Sequence, residues 1–231
     1  MSDFDADDCL RRYRALVAAQ PNLFVNPAGL IYEILLKPAE IGAAQDAARR
    51  QRDQDGMNAA DTRIGVIAED PYITATRDAV RFADGTLGIY NRLLIPSGVV
   101  VLPVLRGEIV LIHRFRHGTR RFVYEVPRGM LGAEGDFGRT AQDELREEIG
   151  ATAVSLISLG EYHSNSSVAN DTMRLFFSEI DSIGAPSRHE AIDRIETFTV
   201  ERVEALMRDG EITDGATLAV YLRAKLNRLI G

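Results

Sequence analysis

A chain of 231 residues with 34 acidic against 27 basic side chains carries a net charge of −7. That balance excludes a general nucleic-acid binder, because a phosphate backbone demands a basic footprint. With 45% hydrophobic and 26% charged residues the composition is globular, and the length allows one substantial core. A single cysteine, Cys9, leaves no disulfide framework and no zinc site of the cysteine type. The start MSDFDADDCL lacks a signal-peptide pattern, and no apolar run approaches the ~20 residues of a spanning helix. The expectation is a soluble, cytoplasmic protein with no membrane association.

In chain order, residues 5–19 read as an amphipathic helix with Leu10, Tyr13, Leu16 and Val17 on one face. Pro21, Asn26-Pro27 and Gly29 mark a loop. Residues 38–62 are rich in Ala, Gln, Arg and Asp and read as a polar helix frayed around Gly56, or as a linker. Residues 64–95 form small antiparallel strands, Tyr72–Arg77 and Ile89–Ile95, about an Asp84-Gly85 turn. The expected divisions are therefore 1–62 (helical arm and polar linker), 63–96 (small antiparallel sheet) and 97–231 (main domain).

The main domain opens with the β-branched run Gly98–Leu105, which turns at Arg106-Gly107 into Glu108–His113. Arg114 and Arg116 follow at i, i+2 and share one face if the strand continues. A charged, exposed edge strand is the alternative there. The run Phe122–Val126 leads through Pro127-Arg128-Gly129 into GMLGAEGDFGRTAQDELREEIGA, residues 129–151. Its second half reads as a helix with Ala141, Leu145 and Ile149 as the buried stripe. Asp136 or Thr140 would cap its start, and Gly150 suits the position past its end.

On that helix Glu144, Glu147 and Glu148 fall within an arc of roughly 100°. Carboxylates so close repel unless something positive sits among them. A hard divalent cation, Mg²⁺ above all, meets that need, and a solvated acidic face is the alternative. Beyond it come strands at 154–162 and 173–180, a loop at 181–194, a strand at 195–200, and closing helices at 201–208 and 214–229. Asp214 is the natural cap of the last. The four histidines make no metal spacing, and no serine-hydrolase elbow, P-loop or dinucleotide fingerprint is present.

The strand, bend and helix together resemble the Nudix box, GX5EX7REUXEEXGU with U aliphatic. Gly129 opens it, Glu144-Leu145 and Glu147-Glu148 match its acidic positions, and Gly150-Ala151 close it. Tyr124-Glu125-Val126-Pro127 before Gly129 resembles the entry strand of the ADP-ribose pyrophosphatase branch. Two positions depart: Gly135 stands where the box has its first Glu, and Asp143 where it has its Arg. The resemblance implies an α+β fold, the Nudix α/β/α sandwich with a mixed sheet, carrying an N-terminal helical arm and small sheet. It implies Mg²⁺ or Mn²⁺ held by Glu144, Glu147, Glu148 and the Arg128 backbone carbonyl. Substrate contacts would come from Arg114, Arg116, Glu125, Arg128 and Gly129. Glu190 would be the catalytic base, with Asp193 and Glu196 next in line. The implied activity is hydrolysis of ADP-ribose or another nucleotide sugar to AMP and a sugar phosphate, in a homodimer. The two departures leave open a catalytically weak or inactive Nudix domain that binds a nucleotide or a protein.

Overall fold

The computed structural model describes residues 5–26, 29, 32–132, 134–186 and 191–231. They fall into two units, Met1–Ile95 with Ser167–Asn170, and Pro96–Ser166 with Asp171–Gly231.

In the first unit Asp5 caps helix α1 (Ala6–Ala19) by accepting the Asp8 N–H at 2.8 Å, and Cys9 and Tyr13 are buried. Tyr13 donates to the buried Asp78, which Arg92 also engages, so one carboxylate ties the helix to the sheet. That sheet is antiparallel: β3 (Thr74–Arg81) pairs with β1 (Glu33–Ile34), β2 (Gly65–Glu69) and β4 (Leu87–Leu94). The β3–β4 turn runs through Asp84-Gly85, where Gly85 takes a φ of +85° that favours glycine. Helix α2 (Pro38–Gln54) closes the question left open for residues 38–62. It is a regular helix, with Pro38 in the first turn, where a missing N–H costs nothing. Its buried residues are Ile41, Ala44 and Ala48, the first two packed with Leu35, Ile64 and Ala79. A stripe made mostly of alanine is easily read as polar sequence.

The second unit is built on a seven-stranded sheet of order β11-β6-β5-β10-β9, with β7 on β6 and β8 on β5. Its strands are β5 (Gly98–Leu105), β6 (Glu108–Arg116), β7 (Arg121–Glu125), β8 (Arg128–Met130), β9 (Ile157–Tyr162), β10 (Met173–Ile180) and β11 (Ile192–Phe198). β5 and β10 run parallel and the other pairs antiparallel, giving the expected mixed sheet. Alternate residues of β5 serve opposite layers. Val99 and Val101 pack with Ala141, Leu145 and Ile149 of α3 (Phe137–Ile149). Val100, Leu102 and Val104 pack with α4 (Val200–Arg208) and α5 (Gly215–Leu226) through Val203, Leu206, Val220 and Ala224. A strand covered on both faces needs an unbroken apolar run, which is why residues 98–105 do not alternate with polar ones. The result is the α/β/α sandwich. No helix among the described residues is long and apolar enough to cross a membrane.

Three local expectations change. β6 pairs with β5, β7 and β11, so the edge-strand alternative for Arg114 and Arg116 falls. The Pro127–Gly129 bend is more than a turn, because Arg128–Met130 pairs antiparallel with β5. β11 begins at Ile192, so Asp193 lies on the strand with Glu196 rather than in the loop before it.

Helix α3 keeps its expected stripe and is capped by Asp136, which accepts from the Gly138 and Arg139 N–H groups at 2.8 and 3.1 Å. It ends at Gly150 with φ +60°, pressed on Gly184 so closely that a Cβ would come within 2.6 Å of the Gly184 Cα. Gly150→Ala therefore combines left-handed strain with a backbone clash. It should cost about 2–4 kcal/mol in urea unfolding, from the sum of those two effects.

Candidate functional site

Charge reaches one place from three elements: the end of β6, the β7–bend–β8 segment, and the second half of α3. Successive strand residues point to opposite faces, so Arg114 and Arg116 share the face of Ile112, and Glu125 lies opposite Ile112 on β7. Ile112 packs with Ala141 and Leu145, which makes this the α3 side of the sheet.

Glu125 is fully buried. Its Oε2 accepts from Arg116 Nε at 2.9 Å and from Arg128 at 3.3 Å. Its Oε1 accepts a second bond from Arg116 and lies 3.7 Å from Arg114 Nε. A buried carboxylate is tolerated only when paired and hydrogen-bonded, and here it gathers three guanidinium groups.

Glu148 answers from α3 and is also buried. Arg114 donates to one of its oxygens and the Arg128 backbone N–H to the other at 3.1 Å. Burial pushes its carboxyl from the ordinary 4.5 up to about 8; Glu144 adds to the rise, while Arg114 and the Arg128 amide oppose it. Glu144 is half-buried over Gly129, and a side chain at 129 would overlap its carboxylate. The glycine that opens the box thus leaves room for the Glu144 carboxylate to lie against the bend. Glu147 is exposed and lies 3.8 Å from Arg146. Of the three helix glutamates, two face the bend and one stands at the rim.

Among the described residues no group of three His, Cys, Asp or Glu side chains is gathered as a ready metal cage. The reason is visible: Arg114 takes up Glu148, and Glu147 leans to solvent. The donor chemistry nonetheless fits a hard divalent cation. Two carboxylates of one helix face, Glu144 and Glu148, meet the glycine-opened bend, and carboxylate oxygens are the donors such an ion takes.

The proposed bases fare differently. Glu190 lies outside the described residues. Glu196 accepts from Tyr124 and Arg194, each at 2.7 Å, and these two groups hold its carboxyl below the ordinary range. Asp193 pairs with Arg194 at 2.7 Å and with His113 at 3.1 Å. Tyr124, which Glu196 accepts from, packs with the α4–α5 core, on the face opposite Arg114.

The two departures from the box have local explanations. Gly135 has φ +73° in a turn closed by its N–H on the Gly132 carbonyl at 3.0 Å, a conformation in which glutamate would be strained. Asp143 pairs with Arg146 one turn on, at 2.7 Å, and lines a depression of about 240 Å³ with Gly132, Glu134, Asp136, Arg139 and Thr140. Restoring the box is therefore cleaner as Asp143→Arg alone than with Gly135→Glu beside it.

Sequence reasoning treated Asp214 only as a helix cap. The cap is real, with the Thr217 N–H donating to Oδ2 at 2.9 Å, but Oδ1 also holds Arg128 at 2.9 Å. No local pattern announces that second bond.

With the geometry in place, the kinship is plain. The NUDIX domain model matches residues 94–218, more than half of the chain, and the chain belongs to that family: it is a Nudix hydrolase. It is similar to an ADP-ribose pyrophosphatase of Mycobacterium tuberculosis (strain ATCC 25618 / H37Rv), at 27% identity over 153 residues, 63% of this chain and 73% of that protein. A crystal structure of an ADP compounds hydrolase matches with a TM-score of 0.61 at 18% identity, over 70% of this chain and 89% of that one. That likeness shows the shared fold.

Glu148 binds its proton more tightly folded than unfolded. Its contribution to the metal-free chain is full below the unfolded value of 4.5 and lost as pH rises through about 8. Glu148→Gln should remove that slope. The difference in urea midpoint between the two proteins, followed from about pH 5 to about pH 9, checks it.

Proposed function

We propose that this Nudix hydrolase cleaves the pyrophosphate of a nucleoside diphosphate-linked substrate, ADP-ribose or an ADP-sugar, to AMP and a sugar phosphate, using Mg²⁺ or Mn²⁺. The observation that carries the reading is the gathering of Glu144 and Glu148 with Arg114, Arg116 and Arg128 around a bend that Gly129 opens. The 27% identity to an ADP-ribose pyrophosphatase supports the substrate class.

A bound divalent ion supplies charge neutralisation at the phosphoryl oxygens and lowers the pKa of water. Glu144, Glu148 and the Arg128 carbonyl would hold it, with Glu147 reaching in from the rim. Arg114 meanwhile covers the charge of Glu148, and so keeps a buried carboxylate paired when no cation is there. Arg116 and Arg114 carry guanidinium forks whose donors already bind Glu125 and Glu148, and their positive charge suits a diphosphate. Glu125 holds those forks in place from beneath rather than touching substrate. The attacking water must give up a proton as the leaving phosphate departs. Tyr124 and Arg194 hold the Glu196 carboxyl below the ordinary range, and Asp193 is taken up by Arg194 and His113, so the proposed base is Glu190. A homodimer belongs to the same proposal.

A second reading, a nucleotide-binding domain of little activity, is favoured by one observation: Glu148 is already engaged by Arg114. The two part on one assay. Incubated with ADP-ribose and Mg²⁺, the protein should release AMP, resolved by chromatography, and excess chelator should abolish it. Glu190→Gln should lower kcat by about a hundredfold or more. A ligand-dependent rise in melting temperature with no AMP formed would favour the binding reading. Full activity in chelator would overturn the metal.

A further inference from the structure

The geometry points to Asp214 and Thr217, on the first turn of α5, as positioning residues for the metal-holding bend. The inference rests on the reading of the site given above. The bend is anchored at two points. The Val126 N–H donates to Thr217 Oγ1 at 3.1 Å, and two residues on the Arg128 guanidinium reaches Asp214 Oδ1 at 2.9 Å. The two anchors are themselves joined, because the Thr217 hydroxyl donates to Asp214 Oδ2 at 2.8 Å. Both side chains are shielded from solvent, Thr217 almost fully.

What this grip fixes is the residue whose backbone N–H holds Glu148 and whose guanidinium also holds Glu125. Arg128 is thus clamped at three places, and its backbone is the one by which the bend meets α3. A carboxylate at 214 can do this because it offers two acceptor oxygens, one for the helix cap and one for the arginine. Asparagine caps a helix as well as aspartate does but has one oxygen, and its amide protons face the arginine donors unfavourably. Asp214→Asn therefore separates the cap from the clamp.

The test compares Asp214→Asn with Thr199→Ala, which removes the cap of α4 and touches nothing at the bend. Mn²⁺ binding is titrated by electron paramagnetic resonance without substrate, and amide exchange is followed across residues 126–130. Asp214→Asn should weaken Mn²⁺ binding about tenfold or more, the usual cost of losing a partner behind the ligands, and should speed exchange in that segment. Its kcat should fall at limiting metal and recover in excess metal. Thr199→Ala should lower the melting temperature and leave all of these unchanged. Wild-type values for Asp214→Asn in both measurements would overturn the positioning role. A wild-type chain that binds no Mn²⁺ would overturn the metal reading instead. The exchange result would then decide the anchoring alone, and unchanged exchange would overturn it.

Discussion

One buried carboxylate organises the second unit's polar end. Glu125 sits where no water can solvate it, and it is tolerable there only because Arg116, Arg128 and Arg114 converge on it. Those arginines are consequently held in fixed directions. Arg114 is turned towards Glu148, and Arg128 is stretched between Glu125 and Asp214. Remove the central charge and three cations face one another in a confined space, and Arg116 loses the carboxylate that both its nitrogens reach. The apolar sandwich supplies the stability for this, since Val99, Val101, Ile112, Leu145 and Ile149 clamp α3 onto the sheet directly beside it.

The balance of charge explains a feature that a list of ligands would miss. An acidic helix face with no cation would push itself apart, yet two of its carboxylates sit close to the bend. The protein settles this with its own guanidinium on Glu148 and with burial, which favours the protonated acid.

Much of this was legible in the residues. The strand Gly98–Leu105, the stripe Ala141–Leu145–Ile149 and the caps Asp136, Gly150 and Asp214 follow from local rules of burial, capping and left-handed torsion, and the structure keeps them. The family followed from the spacing of Gly129, Glu144, Glu147 and Glu148, since a motif encodes an arrangement whose cost has already been met. Helix α2 was obscure because alanines bury little area apiece. The division of labour among the three glutamates was obscure for another reason. Helical periodicity places side chains within an arc, but whether each meets the bend or the solvent depends on Gly129 and Arg114, which arrive from other strands. The second bond of Asp214 is likewise tertiary: its partner lies far back in the chain.

The parallel pairing of β5 with β10, Gly98 beside Met173, has a consequence for synthesis. A ribosome delivers the acidic helix well before the strand that completes the central sheet, and the final helix later still. At about 5–20 residues per second, the nascent chain spends seconds with its glutamates made and their surroundings missing. The polar end of the second unit is therefore completed late, and a chain cut between α3 and β10 would carry every box residue yet lack the strand and closing helix that frame them.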